Sequence, residues 1–176
     1  MIPYFHFTQI QVGGITLQIW GLMASFGFLS TLFLSIKEAK RKGIDENSVW
    51  DAVILAVVAM IVGSRTFYVL LNRNEFSDMK EIFDPRSGGF SSLGGMAVVL
   101  GAVYVFGRLR KINIWKLADT LTPGAIVGIA MVRAGCFLVY DHVGKITSLP
   151  WGRLYVDQTI RHPVSLYHLI SAIIIF

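Results

Sequence analysis

Four apolar stretches of about bilayer length constrain this chain more than any other feature. A helix needs about 20 mostly apolar residues to cross the hydrocarbon core. Residues 15–36 qualify and hold no charge. Residues 49–71 qualify in length but carry Asp51 near the start and Arg65 near the end. Residues 92–106 are shorter and open on glycines, and residues 121–140 enclose Arg133. A fifth apolar run begins at Val164 and extends for 13 residues, too short to cross alone. The expected fold is all-α: a polytopic transmembrane helical protein with four full spans plus the start of a fifth, forming one integral membrane domain over residues 1–176. Because the fifth run breaks off, the chain reads as truncated at its C-terminus.

Composition agrees. The chain is 54% hydrophobic and 15% charged, against about 45–50% and 25% for soluble domains. A disordered chain is excluded, and an ordinary soluble domain is disfavoured. One cysteine excludes a disulfide scaffold or a Cys-based zinc cluster. The net charge of +5 suits loops facing an anionic bilayer surface better than nucleic acid. There is no phosphate-binding P-loop, no Gly-x-Gly-x-x-Gly and no Gly-x-Ser-x-Gly elbow, which argues against a soluble-type nucleotide enzyme. The first basic residue is Lys37, so the first apolar run lacks the basic leader of a cleavable signal and is expected to be retained.

Lysine and arginine set the orientation. Lys37, Lys40, Arg41 and Lys42 follow the first span, and Arg108, Arg110, Lys111 and Lys116 follow the third. These dense loops are expected inside, leaving the N-terminus, residues 72–91 and residues 141–163 outside. Residues 141–163 contain Pro150, Trp151, Tyr155 and Pro163. Aromatic residues favour the headgroup level, so this segment is expected to form an external arm on the membrane surface.

Two intramembrane arginines are the candidates for function. Arg65 lies six residues before Leu71 and Arg133 seven before Tyr140, which puts both roughly 9–11 Å inside the outer ends of their helices. A buried guanidinium is costly unless paired. Asp51 and Asp119 sit at the opposite ends of the spans, and Asp141 is eight residues from Arg133. With no acid at the right depth, the pair suits a phospholipid phosphate, which the guanidinium fork binds bidentately. Snorkelling to the interface, or donation to backbone carbonyls, would also satisfy them.

Gly94 and Gly95, with Gly88 and Gly89 upstream, sit at the outer mouth of the third span. They suit close backbone approach to a ligand or exposed amides for an anion, and equally suit helix packing. Cys136 shares a helix face with Arg133 and reads as a packing residue. His162, Tyr167 and His168 cluster after the arm, without the ligand set a metal needs. His162 alone could equally be a cap or surface residue. No metal or cofactor is expected.

These residues resemble the prolipoprotein diacylglyceryl transferase family along most of the chain. Trp20-Gly21-Leu22-Met23 is similar to a first-span motif. Gly63-Ser64-Arg65-Thr66-Phe67-Tyr68 resembles Gly-Gly-Arg-x-Gly-Tyr, and residues 88–95 resemble Gly-Gly-Met-Ser-Phe-His-Gly-Gly. Asp119 and Pro123 match ahead of the signature. Arg133-Ala134-Gly135-Cys136-Phe137-Leu138, then Gly144 and Pro150-Trp151-Gly152, resemble the signature in the branch that reads Arg-x-Gly-Cys-Phe-Leu. His162-Pro163 with Leu166-Tyr167 resembles His-Pro-x-Gln-Leu-Tyr-Glu.

The resemblance implies a multi-pass enzyme of the bacterial inner (plasma) membrane that serves lipoprotein biosynthesis. Its substrates would be phosphatidylglycerol and a prelipoprotein signal peptide carrying a lipobox cysteine, whose thiol receives the diacylglyceryl group. It assigns Arg133 and Asp141 to catalysis, with Asp141 orienting Arg133 or the head group. Arg65, Arg133, Gly94, Gly95, Gly135, Gly144, His162 and Tyr167 would bind the phospholipid. The departures are specific. Leu93 replaces the motif histidine, a candidate proton acceptor; Trp20 replaces a tyrosine; Asp141 and His168 replace glutamates; and Val139-Tyr140 replaces Asn-Gly. Family enzymes are longer, with a further essential arginine beyond the position of Phe176. Since Leu93 cannot take a proton, another group, a water or the acidity of a thiol near cations must serve. The alternatives are a non-catalytic phospholipid-binding relative and a small anion transporter or channel subunit. The latter predicts symmetry between halves, and no internal repeat is visible.

Overall fold

The computed structural model describes residues 1–76 and 89–176, apart from the Glu75 side chain. Most of the mixed-charge loop after the second span, Gly88 included, lies outside them. Four helices are long and apolar enough to cross a membrane: α1 (Ile19–Lys42), α2 (Glu46–Leu71), α3 (Ser92–Leu109) and α4 (Ile114–Leu138). Helix α5 (Val164–Ile175) is apolar but only 12 residues long. Their large apolar side chains face outwards: Phe33, Ile61 and Leu100 are 68%, 57% and 66% exposed. In water such surface would be untenable; against lipid tails it is the expected outer face. This is a polytopic helical membrane protein.

The first span begins later than its hydropathy predicts. Residues 15–18 form strand β2 (Ile15–Gln18), paired antiparallel with β1 (Gln9–Val12). The two-residue loop is Gly13-Gly14, with φ of 55° and 84°. That left-handed pair is what a tight hairpin requires and glycine supplies. The alternation of Gln9, Ile10, Gln11 and Val12 marks the strand that apolar length alone conceals.

The chain divides into two compact units: residues 1–37 with 121–176, and residues 38–120. In the first, α1 and α4 pack antiparallel through small residues. Gly27, Thr31 and Ser35 on α1 meet Gly124 and Gly128 on α4, and a Cβ added at Gly124 would overlap the Thr31 carbonyl. Thr31 Oγ1 donates to the Gly124 carbonyl at 3.0 Å. Small faces let membrane helices approach until such bonds form.

The same unit holds a small cap. Strands β3 (Arg153–Leu154) and β4 (Ile160–Arg161) pair antiparallel, and Ile2 bridges to Arg153. Phe7 N–H donates to the Leu138 carbonyl, which seats the N-terminal segment on the end of α4. Within the segment 141–163, expected as an external arm, residues 152–154 thus bond to Ile2 and Phe5 of the N-terminal segment. At the centre is Arg153, 2% exposed. It donates to the carbonyls of Phe137 (2.6 Å) and Phe5 (2.7 Å). The rings of Phe5, Phe137 and Tyr140 lie 4.2, 4.6 and 4.6 Å from its guanidinium carbon. Burial pulls this guanidinium below its usual pKa and pushes the Tyr140 phenol up. An arginine stays charged even so.

In the second unit, α2 and α3 pack closely. Gly94 and Gly95 are buried against α2, where a Cβ on Gly94 would overlap Phe67 and one on Gly95 would overlap Met60. Asp45 caps α2 by accepting from Ser48 N–H at 2.9 Å, which holds its carboxyl below the ordinary range. Asp51 pairs with Arg110 at 2.6 Å. Pro123 cannot donate to the Asp119 carbonyl four residues earlier in α4; Lys42 Nζ donates to that carbonyl instead, at 2.7 Å.

Candidate functional site

Arg133 lies five residues before the end of α4 and is half-buried. How α4 ends decides what reaches it. Asp141 N–H donates to the Cys136 carbonyl at 3.0 Å, and Tyr140 takes φ 67°. This six-residue closure over one left-handed residue is a common helix stop. It explains why a glycine suits that position, where this chain carries tyrosine. His142 is also left-handed, at φ 61°. The chain therefore folds back over its own helix.

Asp141 is thereby connected to Arg133. Arg133 Nη1 lies 3.3 Å from His142 Nε2, and His142 Nδ1 lies 3.2 Å from Asp141 Oδ2. The backbone N–H of His142 donates to Asp141 Oδ1 at 2.8 Å. Sequence spacing placed the acid more than two turns away; the left-handed turn removes that separation, with the imidazole as intermediary. Cys136 Sγ joins the group, within 4.8 Å of ligand atoms on Asp141 and His142. The trio could in principle hold a metal, but the chemistry disfavours it. The thiol is 2% exposed and accepts from Trp20 Nε1 at 3.4 Å, both ring nitrogens are engaged, and Arg133 puts a positive charge alongside.

A cleft of about 260 Å³ runs from this charge between α4 and α5. Arg133 and His168 stand at one end, and Ile126, Ile129, Ala172 and Ile175 line the rest. A cation closing an apolar cleft fits an anion carried on a hydrocarbon chain.

The other expected site residues fall into separate places. His162 Nδ1 and Trp151 Nε1 each lie 3.0 Å from the Tyr167 hydroxyl. Gly144 is buried against the His162 carbonyl, leaving no room for a Cβ. Gly135 is buried against Trp20 and Met23 of α1. Arg65 belongs to the other compact unit. Its Nη1 donates to the Gly89 carbonyl at 3.1 Å, with the Phe76 and Phe90 rings at 5.3 and 5.8 Å. The N–H groups of Gly94 and Gly95 donate to Ser91 Oγ and the Ser91 carbonyl, so these two amides are not offered to an anion.

Two residues escaped the sequence reading. Arg153 carried no signal of its own, although it directly follows Pro150-Trp151-Gly152. His142 carried no signal beyond its place next to Asp141.

The model of the prolipoprotein diacylglyceryl transferase family matches residues 8–176. Relatives named phosphatidylglycerol–prolipoprotein diacylglyceryl transferase are similar over most of the chain. The protein from Clostridioides difficile is 34% identical, over 88% of this chain and 62% of its own length. That from Finegoldia magna is 30% identical, over 94% and 67%, and that from Geobacillus kaustophilus 33%, over 90% and 63%. The chain thus spans roughly two thirds or less of these relatives' length. With the family model covering nearly all of it, the chain belongs to the prolipoprotein diacylglyceryl transferase family.

Proposed function

We propose that this protein transfers a diacylglyceryl group from phosphatidylglycerol to the lipobox cysteine thiol of a prelipoprotein. It would act at the outer face of the bacterial plasma membrane, with its N-terminus and cap outside. The carrying observation is the Arg133 guanidinium closing the apolar cleft between α4 and α5. An acyl chain lies along the isoleucines, and the phosphate meets Arg133.

The chemistry is a displacement at carbon. The thiolate forms the S–C bond of a thioether as the C–O bond to phosphate breaks, and glycerol phosphate leaves. Arg133 stabilises the charge growing on that leaving group, an effect that strengthens toward the transition state. Before lipid binds, Asp141 positions Arg133 through His142. Arg65 supplies a second guanidinium for anionic lipid. His162 and Tyr167, fixed by Trp151, shape the cap side with Gly144. Gly135, Gly94 and Gly95 contribute by letting helices pack closely enough to set the cleft and the Arg65 turn.

The test is complementation. The complete gene is expressed in cells depleted of their own transferase, and thioether formation on a lipobox peptide is followed. Appearance of the thioether supports the reading. Verified membrane expression without product, but with saturable phosphatidylglycerol binding, favours the non-catalytic lipid-binding relative, which Leu93 in place of the motif histidine makes the serious rival.

A further inference from the structure

We infer that His142 is the proton acceptor for the incoming thiol, an inference that rests on the transferase reading above. Its two ring nitrogens have partners of opposite kind. Nδ1 lies 3.2 Å from Asp141 Oδ2, and a carboxylate only accepts, so this neighbour favours the hydrogen on Nδ1. A guanidinium only donates, so Nε2, 3.3 Å from Arg133 Nη1, carries the lone pair. The partners therefore fix the neutral tautomer with its basic nitrogen turned toward the cation that closes the cleft.

That arrangement couples lipid binding to base activation. A phosphate offers Arg133 a charge-assisted bond, stronger than the one to a neutral imidazole. As Arg133 turns its donors to the phosphate, Nε2 is released. The thiol S–H then passes its proton to Nε2, and the resulting thiolate attacks the glyceryl carbon. The imidazolium is held by Asp141 until the proton goes to the departing glycerol phosphate or to water. Without lipid, Nε2 stays occupied and the thiol stays protonated. Leu93, where the family motif has histidine, has no group to do this, and it is 77% exposed.

Among the described residues, the titratable and charged groups facing His142 are Arg133 and Cys136 on α4 and Asp141 beside it, and His168 of α5 shares the cleft lining with Arg133. The test uses protein from the complete gene in phosphatidylglycerol vesicles, with a lipobox peptide and initial rates across pH. The wild-type rate is expected to rise with pH before the thiol itself ionises. His142→Gln is expected to fall by roughly 10²–10⁴-fold at neutral pH. Its rate should instead climb with thiol ionisation toward pH ~8.5. A merely structural role would lower the rate without exchanging one pH limb for the other. If His142→Gln does not fold, Asp141→Asn asks the same question: losing the carboxylate that orients the imidazole should change the rate and its pH profile, and an unchanged profile overturns the inference. An active wild type with a His142→Gln variant of unchanged rate and pH profile overturns it while leaving the transferase reading intact. A wild type that binds the lipid and never forms thioether overturns both.

Discussion

Arg133 and Arg153 lie in the same compact unit, and among the described residues neither guanidinium has a carboxylate bonded to it, yet they have opposite surroundings. Arg153 is enclosed by three aromatic rings and donates to two backbone carbonyls. Arg133 is half-buried, and its one described hydrogen-bond partner is an imidazole at 3.3 Å, on the edge of an open cleft. A guanidinium has five N–H donors. Where rings and backbone carbonyls enclose it, as at Arg153, no ligand can reach it. Where it stands beside an open cleft, as at Arg133, it is within reach of a ligand. Cationic charge alone does not separate the two; enclosure does.

The contrast breaks most directly at Arg133. Arg133→Ala should lower lipid-dependent transfer by roughly 10²–10³-fold, the effect of removing one stabilising donor. Its stability in detergent should change by less than about 0.5 kcal/mol. A variant with full activity would remove Arg133 from the chemistry. Arg153→Ala should do the reverse. It leaves the Phe5 and Phe137 carbonyls without donors and opens a cavity among the rings, costing about 3 kcal/mol. Thermal unfolding should show that loss, while the fraction still folded keeps its phosphatidylglycerol affinity. Full stability with lost lipid affinity would reverse the two roles.

Smaller perturbations sharpen the same contrast. Gly124→Ala tests whether the helix pair or the cap limits the unit. The new methyl meets the Thr31 carbonyl, so α1 and α4 must separate, costing about 1–3 kcal/mol without touching either arginine. A melting point equal to wild type would show that the interface yields. Arg161 offers the smallest effect. It is an arginine whose partner is an acid, with Asp157 Oδ2 at 2.8 Å. Bonds from Thr159 and Arg161 hold Asp157 at about 2, down from 3.8. A depressed carboxyl stabilises the fold above its unfolded pKa and loses that contribution as pH falls through the folded one. The β3–β4 turn should therefore loosen only between about pH 4 and pH 2, seen by amide exchange. Loosening already at pH 5 would assign the effect to another group.

How far the sequence could be read depended on the range of each interaction. Apolar length predicted four spans because hydrophobicity is a local property, summed residue by residue. It failed at residues 15–18, where pairing across Gly13-Gly14 overrode it. Arg65 and Arg133 stood out because a charge inside an apolar run is itself a local anomaly. Asp141 was judged too distant from Arg133 because helical spacing was carried past Leu138, where the helix ends. His142 had no anomaly to show.

What the amino-acid order determined alone was the number of membrane-length helices, their dense basic loops and the two intramembrane cations. All of these follow from the solvent preference of neighbouring residues. Which arginine is enclosed and which stands open to a cleft was decided only by folding. Arg153 donates to a carbonyl 148 residues away, and Arg133 acquires its histidine through a left-handed turn. Hydrogen bonds are short-ranged in space and indifferent to separation along the chain, so a guanidinium's partners are known only once the backbone has closed around it.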